Sequence, residues 1–317
     1  MTVNVVRYQY QEAVYWGVIR GDAITPVPGD YVTTQEFIEQ IDLAELRALS
    51  DPVVALSDVR LLSPITRNQQ FVCQGANYRQ HMIESGMDPD AKDFNMIFTK
   101  AQSCIVPADS DVIKPRIVDF LDYEIELGLV LKKGIHSPIT VNENNLYEYV
   151  AGIVIVNDYS ARDIQIPEMQ FYKGKSFRTF GPVGPYLTLL DKDTIGAIKD
   201  LKLRLTVNGD VRQQDSTANL VFSPAETLTE LSEVQDFLPG DLLATGTPAG
   251  CALAIPSPVK QRIAALLPES TKWKLFKKVQ SKRSQYLKVG DLVEASIRSA
   301  DGSVDLGVQR NRIVDED

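Results

Sequence analysis

A chain of 317 residues, 44% apolar and 24% charged, is long enough for one large or two modest domains with a real core, at roughly 100–200 residues per domain. Its 33 Lys and Arg against 42 Asp and Glu leave a formal charge of −9, which removes the long-range attraction that nucleic acid or an anionic membrane surface would use, so neither is expected as a partner. Three widely spaced cysteines, Cys73, Cys104 and Cys251, suit neither a disulfide framework nor a thiolate zinc site; no apolar run approaches the ~20 residues of a membrane span, the opening MTVNVVRYQYQEAV lacks a leader pattern, and a cytoplasmic protein is expected.

The chain reads as β-rich. Residues 3 to 28 predict a small meander with Gly21-Asp22 as a turn, and residues 34 to 49 predict one helix with Phe37, Ile38, Ile41, Leu43 and Leu46 on one side. Ser63-Pro64 marks a boundary, because proline pushes the residue before it into extended backbone and a new strand, QFVCQGA, follows. This divides the chain into a small N-terminal domain, 1–64, and a larger one, 65–317. Strand-length runs rich in Val, Ile and Leu follow at 125–131, 149–158, 201–209, 242–248 and 291–299. Asn208-Gly209 is the sharpest hairpin signal, since both central residues of a type I′ turn need positive φ. Ser223-Pro-Ala-Glu226 is a capping box opening a helix whose Leu228, Leu231 and Val234 are expected to face the core, and Ser160 is expected to cap a shorter helix that Pro167 ends. Residues 255 to 286 carry eight basic side chains against Glu269 alone, a local charge of +7 in a chain that is otherwise −16. That stretch reads as an insertion: a solvated helical excursion, or a lid or interface that meets an anion.

With His81 and His136 the only histidines, carboxylates must carry most of the chemistry. Asp122, Glu124 and Glu126 alternate along the start of an apolar strand and so share a face. Two explanations stand: a solvated face screened by water, or a hard cation that cancels the repulsion. Asn157-Asp158, ending another apolar strand, favours the cation, because a charge at the end of a buried strand can supply a further ligand. His81 and Glu84 are spaced to share a helical face, either as a general-base dyad or as an ordinary surface pair. Lys175 could neutralise a carboxylate or an enolate oxygen or simply be solvated, and the turn GTPAG at 246–250 could offer backbone N–H groups to an anion or be an ordinary strand-end turn.

Taken in order, GANYRQHMIES, DYEIELGLVL and VNDYSARDIQ resemble the NYxxHxxE, DYExEL and NDxxARDxQ segments of the fumarylacetoacetate hydrolase family, and KSFRTFGPVGP, LTVNGDVRQ, LPGDLLATGTPAG and LKVGDLVEASI with QRNRIV continue the likeness from Phe71 to Val314. The resemblance implies an α+β, β-rich fold, a mixed β-roll with a small N-terminal α+β subdomain, usually as a homodimer, holding Mg²⁺ or Mn²⁺, with Ca²⁺ as a third option. By position it implies Glu124, Glu126 and Asp158 as metal ligands, with Asp122 structural. It implies His81 as general base, Glu84 as its partner on a lid helix, and Lys175 as the group that stabilises an enolate. Arg162, Gln165, Thr247 and Tyr78 would bind substrate oxygens. Gln74 stands where classical members carry a further metal-binding aspartate, which moves the likeness toward the acylpyruvate hydrolase, decarboxylase and isomerase branch. The basic stretch 251–286 replaces what is commonly a short link.

Three functions follow as expectations. The first is metal-dependent hydrolysis of a C–C bond in an acylpyruvate-like 2,4-diketo acid, with water delivered by His81 and Glu84. The second keeps the chelation but omits water: decarboxylation or keto–enol isomerisation of a keto acid such as oxaloacetate. The third is a non-catalytic binding protein on the same fold.

Overall fold

The computed structural model describes residues 1–256 and 266–316. Two sheets share one core, and the larger has a second core on its other side. At the centre of the larger sheet, Ile125–Leu131 and Val150–Asn157 run antiparallel, and every residue of both strands is buried. Burial on both faces is why these segments are near-continuous apolar runs and not alternating ones. The period of two still sorts them. Ile125, Leu127, Leu129, Ile153 and Ile155 face the core shared with the second sheet, while Val130, Ala151, Val154 and Val156 face the other.

The second sheet has the order Asp210–Ser216, Leu201–Val207, Leu292–Ser299, Asp305–Asp315 and Val112–Lys114, and brings Leu203, Leu205, Val293, Ile297 and Ile313 onto the first core. Asn208 and Gly209 have φ of 52° and 87°, the positive values that the hairpin requires. Helix Pro224–Ser232 begins at its capping box and buries Leu228 and Leu231 in the same core; Val234 lies beyond the helix end and is 73% exposed, contrary to expectation.

The meander Val3–Tyr10, Ala13–Arg20 and Ala23–Pro26 extends the large sheet, because Val3–Tyr10 pairs with Leu187–Leu189 as well as with its own neighbour. Its Trp16 stacks on Phe37 with ring centroids 4.0 Å apart, closing the second core. The single helix expected over 34–49 is two, Thr34–Gln40 and Leu43–Ala48. Ile41 is extended, and the Asp42 carboxylate accepts the N–H groups of Ala44 and Glu45 at 2.6 and 3.2 Å, starting a new helix where the first has ended.

The basic insertion contains helix Glu269–Gln280, mostly exposed, which docks through Phe276 against Phe120 and through Gln280 onto the Ala254 carbonyl. Lys260 and Arg262 of that insertion lie outside the described residues.

Candidate active site

The site forms where the two central strands end. Their register places Ile125 opposite Asn157 and Glu126 opposite Val156, and the Asp158 N–H donates to the Glu124 carbonyl at 2.8 Å, so Glu124 and Asp158 face each other across the strands. Glu124, Glu126 and Asp158 are all buried, with one oxygen of each within 4.8 Å of the others. A water-screened carboxylate face is thereby excluded. The remaining reading, a cation held by oxygen ligands, has the right chemistry: three carboxylates suit a hard divalent ion.

Basic groups hold two of these carboxylates in place. Lys175 Nζ donates to Glu124 Oε2 and Asp158 Oδ2 at 2.6 Å each and to Ser160 Oγ at 2.8 Å. Arg162 donates to Asp122 at 2.9 Å, to Gln165 Oε1 at 2.8 Å, and to Glu124. Lys100, fully buried, pairs with the other oxygen of Asp158 and with the Phe180 carbonyl. Burial alone would push the Glu124 carboxyl upward, but Arg162 and Lys175 outweigh it and hold the group well below its ordinary range. Lys175, which burial would lower, is raised by Asp158 and Glu124 and stays charged.

Glu126 is different. It accepts one hydrogen bond, from the Gly246 N–H at 2.9 Å, and burial together with the Asp158 and Glu124 charges pushes its carboxyl well above the ordinary range. A divalent cation between the three would remove that repulsion, so the residues fit such an ion. Asp122, by contrast, is satisfied by Arg162 and by the N–H groups of Tyr123, Ala252 and Leu253, a structural role.

A cavity of about 620 Å³ opens beside the cluster, lined by Glu124 and Glu126 and by the expected site residues His81, Glu84, Arg162, Gln165, Lys175 and Thr247. His81 and Glu84 share the short helix Arg79–Glu84, His81 half-buried and Glu84 exposed. Burial, helped by Arg162, lowers the His81 pKa below 6.5 against the opposing charges of Glu124, Glu84 and Asp122, so the ring is neutral at pH 7. Tyr78 is not part of this constellation: it is fully buried in the core and absent from the cavity wall. The Thr247 hydroxyl is also committed, donating to the Ile125 carbonyl at 2.9 Å and accepting from Gln213 at 2.8 Å. Ser160 caps no helix; its hydroxyl donates to the Asp158 carbonyl and accepts from Lys175, and Ala161 precedes helix Arg162–Glu168 without a side-chain cap. The GTPAG turn does offer an N–H to an acidic group, but that group is the protein's own Glu126 carboxyl.

Sequence reasoning missed Lys100, Gln213 and Arg283. The one signal for Lys100 was a lysine ending the apolar strand Met96–Thr99, and its partner Asp158 is 58 residues away. Gln213 braces the site by accepting the Ile125 N–H and donating to Thr247 and the Pro248 carbonyl.

Residues 70–314 match the family model described as fumarylacetoacetate (FAA) hydrolase C-terminal. The chain belongs to the fumarylacetoacetate hydrolase family. Residues 5–64 match a second model, Rv2993c-like, N-terminal. Among curated family members, the chain is 38% identical over 199 residues to oxaloacetate tautomerase YisK of Bacillus subtilis, covering 62% of this chain and 64% of that protein. It is 36% identical over 252 residues to the human mitochondrial oxaloacetate tautomerase FAHD2A, covering 77% of each. A solved structure, a probable 2-hydroxyhepta-2,4-diene-1,7-dioate isomerase from Mycobacterium abscessus, superposes with a TM-score of 0.73 at 26% identity over all of both chains. Both of these curated relatives are named as tautomerases and this structural neighbour as a probable isomerase. No described helix is long and apolar enough to cross a membrane.

Proposed function

We propose that the protein is a divalent-metal-dependent keto–enol tautomerase of a short 2-oxo acid, with oxaloacetate as the first candidate. The observation that carries this reading is the buried Glu124, Glu126 and Asp158 cluster beside a cavity that a neutral imidazole, His81, also lines. The activities named for the curated relatives favour this second expectation over C–C hydrolysis, which is supported at the level of the family.

Glu124, Glu126 and Asp158 would hold Mg²⁺ or Mn²⁺, which when bound would polarise the 2-oxo acid and lower the cost of the enolate. The residues supply the rest. Neutral His81 accepts the enol hydroxyl proton, and the resulting imidazolium returns a proton to C3, so the keto form leaves with the proton count unchanged. Glu84 steadies that imidazolium. The Gln165 amide nitrogen makes no hydrogen bond to the protein among the described residues and is available to a substrate oxygen, while its Oε1 is fixed by Arg162. Lys175 does not reach for a departing enolate: its three donors are all bound to Glu124, Asp158 and Ser160, so it holds the carboxylate cluster against its own repulsion.

The test follows loss of enol absorbance in fresh oxaloacetate, with acetylpyruvate cleavage measured beside it. Metal-dependent enol loss in the wild type, reduced at least about 100-fold in His81→Ala, the scale expected for general acid–base catalysis, and abolished in Glu126→Ala, is the expected result. Metal-dependent acetylpyruvate cleavage without tautomerisation would return the assignment to hydrolysis.

A further inference from the structure

Most cations around the cavity are spent on the protein's own groups. Arg162 is divided between Asp122, Glu124 and Gln165, and Lys175 between Glu124, Asp158 and Ser160. Lys100 pairs with Asp158 and does not line the cavity. Among the described residues that leaves Arg283 as the permanently charged cavity-lining side chain with donors to spare. Its Nε donates to the Ala252 carbonyl at 2.6 Å, and neither terminal nitrogen has a hydrogen-bond partner among the described residues.

Arg283 is also held in place. Its backbone N–H donates to the Gln280 carbonyl at 2.9 Å. The Gln280 side chain donates to the Ala254 carbonyl and accepts from the Tyr286 hydroxyl, each at 2.8 Å, and the Tyr286 ring lies 5.0 Å from Phe120. Residues 280 and 286 are therefore both anchored in the body of the protein, with the arginine between them. A planar guanidinium fixed through Nε, with two terminal nitrogens open, is a fork for a carboxylate.

We propose that Arg283 is the specificity-determining residue of this site and receives the distal carboxylate of a 2-oxo dicarboxylate whose 2-oxo acid end lies at Glu124, Glu126 and Asp158. The inference rests on the tautomerase reading for the placement of the substrate and goes beyond it by naming the residue that would select short, dianionic 2-oxo diacids over 2-oxo monoacids with apolar tails. It also gives the basic insertion a purpose, since the segment that closes the insertion carries the fork. A monoacid would leave that guanidinium facing an apolar group, which is the basis of discrimination.

Binding separates this from turnover. In the Mg²⁺-loaded protein, titration calorimetry compares 3,3-difluorooxaloacetate, a diacid with no C3 proton to lose, with oxalate, which carries the chelating end alone. Arg283→Gln should weaken the difluoro diacid about 10- to 100-fold, as loss of a bidentate charge-assisted pair gives, and leave oxalate within about twofold. Arg283→Lys should recover only part, because an ammonium lacks the fork. Equal losses for both ligands would overturn the proposal in favour of a structural role, and so would no loss for either. A wild type that binds both ligands but does not interconvert oxaloacetate tautomers would remove the reaction and leave the Arg283 assignment standing. A wild type that binds neither overturns both.

Discussion

His81 can act as a base at neutral pH because burial keeps its ring uncharged, and the charges around it set how far. Glu84 opposes the shift, since a nearby carboxylate favours the imidazolium. Two consequences follow for the pH profile of kcat/KM. Its acid limb should lie below pH 6.5, the ordinary value for the ring, and Glu84→Gln should move that limb further toward acid, because an influence that raises the pKa has been removed. A limb that moves toward alkaline pH, or does not move, would contradict the dyad. The individual candidates were legible to the extent that their chemistry is local. Glu124, Glu126 and Asp158 stand out as charges on apolar strands, and Lys175 as a side chain that could neutralise a carboxylate, but nothing in one sequence says that its partners are Glu124 and Asp158 or that Lys100 and Arg162 join it, because these residues lie 17 to 58 positions apart and meet only after folding.

The clearest element ends written in a few adjacent residues were read correctly, and the cap decided by tertiary partners was not. The capping box of Ser223 and Glu226 is complete in the structure, each side chain accepting the other's backbone N–H. Ser223→Ala should therefore cost about 1 kcal/mol in urea unfolding, the usual worth of a cap, while leaving enol conversion unchanged. A loss of activity without a loss of stability would mean that helix Pro224–Ser232 does more than close the core. Ser160 shows the opposite case. Its position before a helix suggested a cap, yet its hydroxyl is drawn to the Asp158 carbonyl and to Lys175, partners that a local pattern does not contain. The break between Thr34–Gln40 and Leu43–Ala48 was missed for a third reason: the apolar spacing runs through it, and only the Asp42 cap interrupts.

For the whole molecule, a sheet buried on both faces explains both the fold and the position of the site. The apolar runs that build the two cores are the strongest signal in the sequence, and they were sufficient to place the central strands. Which strands become neighbours was not readable from those runs, since apolar segments of equal length are interchangeable until the resemblance to a family orders them. The pairing matters, because it is the register of Ile125–Leu131 against Val150–Asn157 that brings Glu124 opposite Asp158 and makes the carboxylate cluster. The four acids Asp122, Glu124, Glu126 and Asp158 outnumber Lys100, Lys175 and Arg162 by one, and a divalent ion would turn that deficit into a net positive charge suited to an anionic substrate.

The central claim is that this site moves a proton on a 2-oxo acid without breaking a carbon–carbon bond. It is tested most directly by proton NMR of oxaloacetate in D₂O with the Mg²⁺-loaded protein, watching the C3 protons against the appearance of products. The account predicts exchange of the C3 protons for deuterium faster than in buffer, with the four-carbon skeleton intact and no acceleration in His81→Ala. Formation of acetate and oxalate, or of pyruvate, at the rate of enzyme turnover, or C3 exchange no faster than in buffer, would contradict it.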